Sequence, residues 1–230
     1  MKDAWRHFSA EFIGTFALVF IGGGTIITSP MLQVQAAVVN IAFAHGLILA
    51  LLVTATMRIS GHLNPAVTAG FLVTRRIEAM MAVVYWIAQF MGAIIAAYLL
   101  KALYPANIVA VTKLGGQFIS SDITLVQAIA LEAIATFFLV FAVFGTAVDD
   151  RGPWNKTAGL TIGLVIAFDI MAFGPWTGAA MNPARWFGPA LATGEWTDWW
   201  VWIVGPIAGA IVAAVLYWTV FLRDKEPATP

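Results

Sequence analysis

The sequence predicts an all-α membrane protein with six transmembrane helices, two re-entrant half-helices and an inverted internal repeat. Its composition is the first reason. Of its 230 residues, 61% are hydrophobic and 10% are charged, whereas soluble domains carry roughly 45–50% apolar and about 25% charged residues. The 12 basic and 12 acidic side chains balance, so no basic surface suggests nucleic acid as a partner. The lack of cysteine excludes a disulfide-stabilised secreted domain.

The lengths of the apolar segments are the second reason. A helix needs about 20 apolar residues to cross the ~30 Å hydrocarbon core of a bilayer. Six segments are long enough, at 8–27, 36–57, 80–103, 125–148, 157–173 and 199–222. Two more, 64–73 and 182–192, are too short to cross, and each begins with Asn-Pro. Because proline is favoured in the first turn of a helix, both are predicted to be half-helices.

An internal repeat is the third reason. Residues 11–20 match residues 132–141 at seven of ten positions, and residues 92–99 match residues 209–216 at six of eight. Two Asn-Pro-Ala triplets lie between these pairs, and the three offsets are 121, 118 and 117 residues. The sequence is therefore interpreted as one transmembrane domain, 1–230, with repeats at about 8–103 and 125–222 joined by a loop at 104–124. Each repeat has three spans, an odd number, so the second must be inverted, with a shared site near the midplane.

The distribution of basic residues predicts the orientation. An even number of spans places both termini on one side, together with nine basic residues: Lys2, Arg6, Arg58, Arg75, Arg76, Arg151, Lys156, Arg223 and Lys225. Only Lys101, Lys113 and Arg185 fall on the other side. Since cytoplasmic loops are enriched in Lys and Arg, both termini are expected to be cytoplasmic. Four tryptophans near the outer end of the last span are expected to anchor it in the lipid interface: Trp196, Trp199, Trp200 and Trp202.

The two half-helices indicate a pore. Their N-termini meet, and each contributes unpaired backbone N–H groups and about half a positive charge, which repels cations, including protons. Asn64 and Asn182 should cap these helices, each with an amide left to donate. Two donors in an apolar tube suit a neutral acceptor such as water. The alternative is a pair of broken helices without a pore.

Three sequence features resemble the major intrinsic protein family, which comprises the aquaporins and aquaglyceroporins. They are ISGHLNPAVT at 59–68, GAAMNPARWFGP at 178–189, and a repeated Glu-x-x-x-Thr-Phe. The first two contain the triplets Asn64-Pro65-Ala66 and Asn182-Pro183-Ala184. The resemblance covers nearly the whole chain. It implies an aquaporin-like hourglass fold, homotetramers with one pore per subunit, and passive permeation.

The resemblance also assigns roles to buried ionisable residues. It implies that Glu11 and Glu132 accept hydrogen bonds from the backbone of the two Asn-Pro-Ala loops and so support them. The alternative is a proton-coupling pair in a transporter, because carboxyl groups inside a membrane usually mark function. His62 resembles the family's pore histidine on the cytoplasmic side, although it could also be a packing residue. Asp169 is expected to hydrogen-bond the backbone of an outer loop.

The family's outer selectivity filter has four positions. Arg185, Ala179 and Ile170 match three of them. The fourth falls on Ala44 by the family's usual count, or on His45 if this sequence has a one-residue deletion in the loop before the first triplet. We expect His45. The set His-Ile-Ala-Arg is similar to filters of plant tonoplast channels and of animal channels that pass water and ammonia, and it differs from the Trp-Gly-Phe-Arg set of glycerol facilitators.

These observations predict a passive channel for water and for small neutral solutes such as ammonia, which excludes protons and ions. A glycerol or urea facilitator of the same family is the alternative, and a secondary transporter is a more distant one. No nucleophile–base pair or metal cluster suggests an enzyme, and no cofactor or metal is expected. The expected partners are membrane lipid and further copies of the chain. The expected location is the plasma membrane.

Overall fold

A computed structural model describes residues 3–31, 37–152 and 156–222. Within these ranges the fold is helical, and six of its helices are long and apolar enough to cross a membrane: α1, α2, α4, α6, α7 and α9. The α-helices are α1 Ala4–Thr28, α2 Ala37–Thr56, α3 Pro65–Val73, α4 Ala79–Leu103, α5 Ala106–Thr112, α6 Leu125–Val143, α7 Ala158–Thr177, α8 Pro183–Thr193 and α9 Val201–Phe221. The six spans and two half-helices, α3 and α8, were predicted from the sequence.

The ends of the helices follow local chemistry. At the start of α6, the hydroxyl of Thr124 accepts a hydrogen bond from the backbone of Gln127, whose side chain accepts one from Thr124 in return. Helix α7 continues to Thr177, four residues beyond the predicted end of its span, and stops at Gly178 with a φ of 75°. The short helix α5 was not predicted, because its seven residues give too few turns for a periodic pattern.

Close helix crossings depend on glycines that the repeat places in equivalent positions. A Cβ atom on Gly92 of α4 would lie 2.5 Å from the carbonyl oxygen of Phe12 in α1. A Cβ atom on Gly209 of α9 would lie 2.0 Å from the carbonyl oxygen of Ala133 in α6. Helices α1 and α4 therefore pack in the first half as α6 and α9 pack in the second. Helix α2 packs against α7 and so joins the two halves.

Each half-helix packs against a span of the opposite half. Helix α3 lies against α9, where a Cβ atom on Gly70 would be 3.3 Å from the carbonyl oxygen of Ala210. Helix α8 lies against α4, where a Cβ atom on Gly188 would be 2.4 Å from the carbonyl oxygen of Ala93. This exchange brings the N-termini of α3 and α8 together between the two halves.

The outer tryptophans do not all face lipid. Trp199 is exposed, but Trp202 is buried, donates from Nε1 to the carbonyl of Thr177 at 3.0 Å, and stacks on Trp186. The expected role of Trp202 as a lipid anchor is therefore wrong, because its indole packs beside the second half-helix.

The orientation of the chain remains a prediction. Three of the nine basic residues that support it, Lys2, Arg223 and Lys225, lie outside the described residues.

Candidate functional site

The two Asn-Pro-Ala triplets form the N-termini of the half-helices. The Oδ1 atom of Asn64 accepts a hydrogen bond from the backbone of Ala66 at 2.8 Å. Asn182 Oδ1 accepts from the backbone of Ala184 at 3.0 Å and of Arg185 at 3.2 Å. Both prolines, Pro65 and Pro183, occupy the first turn, where a missing N–H has no cost. Each asparagine is thus an N-cap, as predicted.

The two asparagines also connect the halves. Asn64 Nδ2 donates to the carbonyl of Met181 at 2.7 Å, and Asn182 Nδ2 donates to the carbonyl of Leu63 at 2.8 Å. An amide nitrogen carries two hydrogens, so each crossing bond leaves one for another acceptor. The amides were expected to donate into the pore, but their bonds across the two halves were not predicted.

The residues before both asparagines adopt a strained backbone conformation. Leu63 has a φ of 51° and Met181 a φ of 53°, in the left-handed region that costs a non-glycine residue roughly 1–2 kcal/mol. This geometry allows the backbone of each residue to bond in two directions, with its carbonyl to the opposite asparagine and its N–H to a buried carboxyl group. Sequence reasoning missed both residues, although the repeat places each directly before Asn-Pro.

Glu11 holds the first of these loops. Its fully buried carboxyl group accepts from the backbone of His62 at 2.8 Å and of Leu63 at 2.6 Å. It also accepts from the hydroxyl of Ser60 and from Gln89 Nε2, the latter at 2.7 Å. Three of these donors belong to the loop before Asn64 and the fourth to helix α4. The carboxyl group therefore fixes the loop in place.

Glu132 holds the second loop in the same way. It is fully buried and accepts from the backbone of Ala180 at 2.9 Å and of Met181 at 2.8 Å, and from the hydroxyl of Thr177 at 2.7 Å. Glu11 thus accepts four hydrogen bonds and Glu132 three, all from protein donors. A proton-coupling pair would need contact with water or substrate, which this arrangement does not give.

One narrow cavity lies between the two halves, with about 20 Å³ of space for the centres of water-sized molecules. Seven residues singled out from the sequence line it: His45, His62, Asn64, Ile170, Ala179, Asn182 and Arg185. Most of the other lining residues are aliphatic side chains of the spans. The structure thus brings both capping asparagines and all four expected filter residues to one apolar passage.

Arg185 and His45 meet at this cavity. Arg185 Nη1 donates to the carbonyls of Gly178 and Ala179 at 3.2 and 2.9 Å, and its Nη2 lies 3.2 Å from His45 Nε2. His45 Nδ1 lies 2.8 Å from the carbonyl of Ile41. A carbonyl only accepts and a guanidinium only donates, so Nδ1 must carry the hydrogen and Nε2 must accept. His45 is therefore a neutral imidazole with a fixed tautomer.

The two candidates for the fourth filter position are separated by this geometry. His45 is buried and lines the cavity beside Arg185. Ala44 lies on the same helix, is half-buried, and does not line the cavity. The arrangement agrees with a one-residue deletion in the loop before Asn64.

His62 lines the cavity on the side of the first triplet. Its Nδ1 lies 3.1 Å from the hydroxyl of Thr68, and its ring centroid lies 4.2 Å from that of Phe71. The histidine therefore both packs and contributes to the lining, which combines the two alternatives drawn from the sequence.

Asp169 does not fulfil the role expected for it. Its side chain is buried in α7, but Oδ2 has no hydrogen-bond partner among the described residues. The expected hydrogen bond to an outer loop is not made within the part of the chain that the structure describes. The described residues also contain no group of three or more histidine or carboxylate side chains that could hold a metal ion.

A bundle of six spans with two half-helices that meet in one narrow cavity defines a membrane channel. A family model described as Major intrinsic protein matches residues 1–217, and the chain belongs to this family. Members of the family are channels, so the protein is an integral, multi-pass membrane channel and not an enzyme.

Individual proteins show the same relationship. The chain is 39% identical over 230 residues to "Aquaporin TIP1-2" of Zea mays, which covers 97% of this chain and 89% of the relative. It is 40% identical over 228 residues to "Aquaporin TIP2-1" of Arabidopsis thaliana, covering 96% and 89%. The X-ray structure of the aquaglyceroporin from Plasmodium falciparum superposes with a TM-score of 0.86 at 26% identity, covering 96% of this chain and 98% of that one. The predicted family and hourglass fold are confirmed.

Proposed function

We propose that the protein conducts water and small neutral solutes, including ammonia, and excludes protons and ions. The observation that carries the proposal is the cavity lined by both capping asparagines and by His45 and Arg185. Each asparagine amide keeps one hydrogen beyond its crossing bond. Two donors in an aliphatic passage favour a permeant that accepts hydrogen bonds and carries no charge.

The exclusion of ions follows from the charges around the cavity. Arg185 remains charged, and the residues that it contacts, Gly178, Ala179 and His45, are neutral acceptors. Within the described ranges, no carboxylate lies within salt-bridge distance of its guanidinium. The positive ends of the two half-helices add to this field. A cation would lose its hydration while being repelled, and a proton would meet the same barrier.

The choice among neutral solutes follows from the filter. Ala179 contributes only a methyl group, while the guanidinium of Arg185 keeps N–H groups beyond those bonded to Gly178, Ala179 and His45. A small molecule such as ammonia can keep hydrogen bonds there. Glycerol must give up the hydrogen bonds between water and several of its hydroxyl groups beside Ile170, and this aliphatic side chain offers no hydrogen bond to replace them. A glycerol facilitator is nevertheless the second candidate, because the superposed structure is an aquaglyceroporin.

Stopped-flow measurements on proteoliposomes test the proposal. Water is followed by vesicle shrinkage, glycerol by reswelling, and ammonia by internal alkalinisation, each against protein-free vesicles. We expect rapid water and ammonia fluxes and a glycerol flux close to that of the lipid alone. Glycerol flux comparable to water flux would support the facilitator instead, and absence of water flux would overturn the proposal.

Assembly and location are separate proposals. A homotetramer with one pore per subunit is supported by the family resemblance, and light scattering of the detergent-solubilised protein would give its mass. The relatives named above are of the TIP, or tonoplast, type, which weakens the expectation of a plasma-membrane location. Fractionation of the source cells would decide between the two membranes.

A further inference from the structure

Three consecutive glycines, Gly22, Gly23 and Gly24, lie within the first span. Each glycine in a helix interior costs about 1 kcal/mol relative to alanine, so such a run needs an explanation in packing. At Gly22 the explanation is a single side chain. A Cβ atom there would lie 2.2 Å from Nε2, 2.4 Å from Cδ2 and 2.7 Å from Cε1 of His45. The imidazole ring therefore packs directly against the backbone of α1.

The ring has little freedom to move elsewhere. Its Nδ1 is bound to the carbonyl of Ile41 and its Nε2 contacts Arg185, so both nitrogen atoms have partners. His45 lines the cavity whereas Gly22 does not, which means that the ring separates Gly22 from the passage. A side chain at position 22 would push the ring towards the cavity and disturb its present contact with Arg185.

The second repeat shows that the position itself does not demand glycine. An offset of 121 residues, which aligns Glu11 with Glu132, aligns Gly22 with Val143. Val143 is buried in α6 and lines the same cavity with an apolar side chain. The helix thus accepts a branched residue where no histidine has to be accommodated.

We propose that Gly22 is a specificity-determining residue of the filter, which acts by positioning His45. The absent side chain sets how far the imidazole is withdrawn from the passage, and so sets the width of the constriction beside Arg185. This inference rests on the proposed conduction of water and ammonia. It adds a residue that contributes no atom to the cavity and that no filter motif contains.

The test compares Gly22→Ala with the matched control Gly24→Ala. Residues 22 and 24 point about 200° apart on the same helix. The atoms nearest to a Cβ at 24 are the ends of the Tyr104 and Leu100 side chains, at 3.1 and 3.7 Å. Both changes raise helix propensity equally. We expect Gly22→Ala to lose ammonia permeability more than water permeability in proteoliposomes, while Gly24→Ala keeps both at the wild-type level.

A double variant separates positioning from folding. If the alanine acts through the ring, adding Gly22→Ala to His45→Ala should cause no further loss of either flux. An equal loss in both backgrounds, or wild-type fluxes in the single variant, would overturn the inference.

A structure of Gly22→Ala provides a readout that is independent of transport. The distance between His45 Nε2 and Arg185 Nη2 should differ from the present 3.2 Å, and an unchanged arrangement would contradict the inference. Absence of water flux in the wild type would instead overturn the proposed function and leave this structural comparison valid.

Discussion

Asn64 and Met181 join the two halves by a hydrogen bond of 2.7 Å from the side-chain amide to the carbonyl oxygen. The bond links the cap of one half-helix to the strained residue before the other, and Asn182 and Leu63 form its counterpart. The two half-helices are thus fixed to each other by the same groups that line the passage. Stability and conduction should therefore depend on the same asparagines.

Replacing Asn64 with alanine should lower the free energy of unfolding by about 2 kcal/mol, from loss of the cap and of the crossing bond. Asn64→Ser should recover part of this loss, because serine caps a helix but lacks the amide donor. Thermal unfolding in detergent measures both variants. Equal stability of wild type and Asn64→Ala would show that the crossing bond contributes nothing.

Replacing Glu132 with glutamine should destabilise the second loop. The amide nitrogen would replace either Oε1 or Oε2, so it would face the backbone N–H of Ala180 or that of Met181 and leave that donor unsatisfied, at a cost of about 1–3 kcal/mol. Glu11→Gln should behave alike in the first loop. The melting temperature is the measurement. A transporter would respond differently, with unchanged stability and an altered pH dependence of flux.

Replacing His45 with phenylalanine should lower ammonia permeability more than water permeability, because Arg185 Nη2 loses the acceptor that holds it in place at the filter. Ala44→Phe is the matched control, since residue 44 lies outside the cavity and should affect packing only. Stopped-flow assays of both variants give the comparison. If Ala44→Phe blocks conduction and His45→Phe does not, the filter register proposed here is wrong.

Mercury salts should not inhibit water flux, because the chain contains no cysteine. Ala180 lines the cavity, so Ala180→Cys should create a site at which a mercurial blocks the passage. A reducing thiol should then reverse the block. Inhibition of the wild type that a thiol reverses would contradict this prediction.

The loop after α6 is held by a charge pair. The guanidinium of Arg151 lowers the pKa of Asp149 well below its usual range, and Arg151 also donates to the carbonyl of Phe221 at 2.5 Å. A depressed pKa means that the carboxylate stabilises the folded state above its unfolded pKa of about 4. The contribution is lost progressively as the pH falls from about 4 through the lower, folded value. Asp149→Asn should therefore lower the melting temperature at pH 7 and reduce the difference between pH 7 and pH 3.

Much of the fold could be predicted because its signals are local. The length of each apolar segment shows whether it can cross, and Asn-Pro at 64 and 182 marks where each half-helix begins. The inverted arrangement follows from an odd number of spans per repeat. The filter residues could be assigned only through the family resemblance. The choice of His45 over Ala44 depended on placing a one-residue deletion in the loop before Asn64.

The remaining features are contacts between residues far apart in the chain. The carbonyl of Met181 lies 117 residues from Asn64 in sequence. No sequence pattern near either residue predicts the hydrogen bond between them. In the sequence, Gly22 looks like any small packing residue, and only the structure shows that the His45 ring lies against it. The burial of Trp202, and the Asp169 oxygen that has no hydrogen-bond partner among the described residues, likewise depend on how helices pack.

The temperature dependence of osmotic water flux tests the central claim most directly. Water that moves through a preformed, aliphatic passage with a few fixed donors should cross proteoliposomes with an activation energy close to that of diffusion in bulk water. Protein-free vesicles should show a much steeper dependence, because water must then dissolve in the hydrocarbon. An activation energy equal to that of the lipid alone would contradict the proposal that these residues form an open water pore.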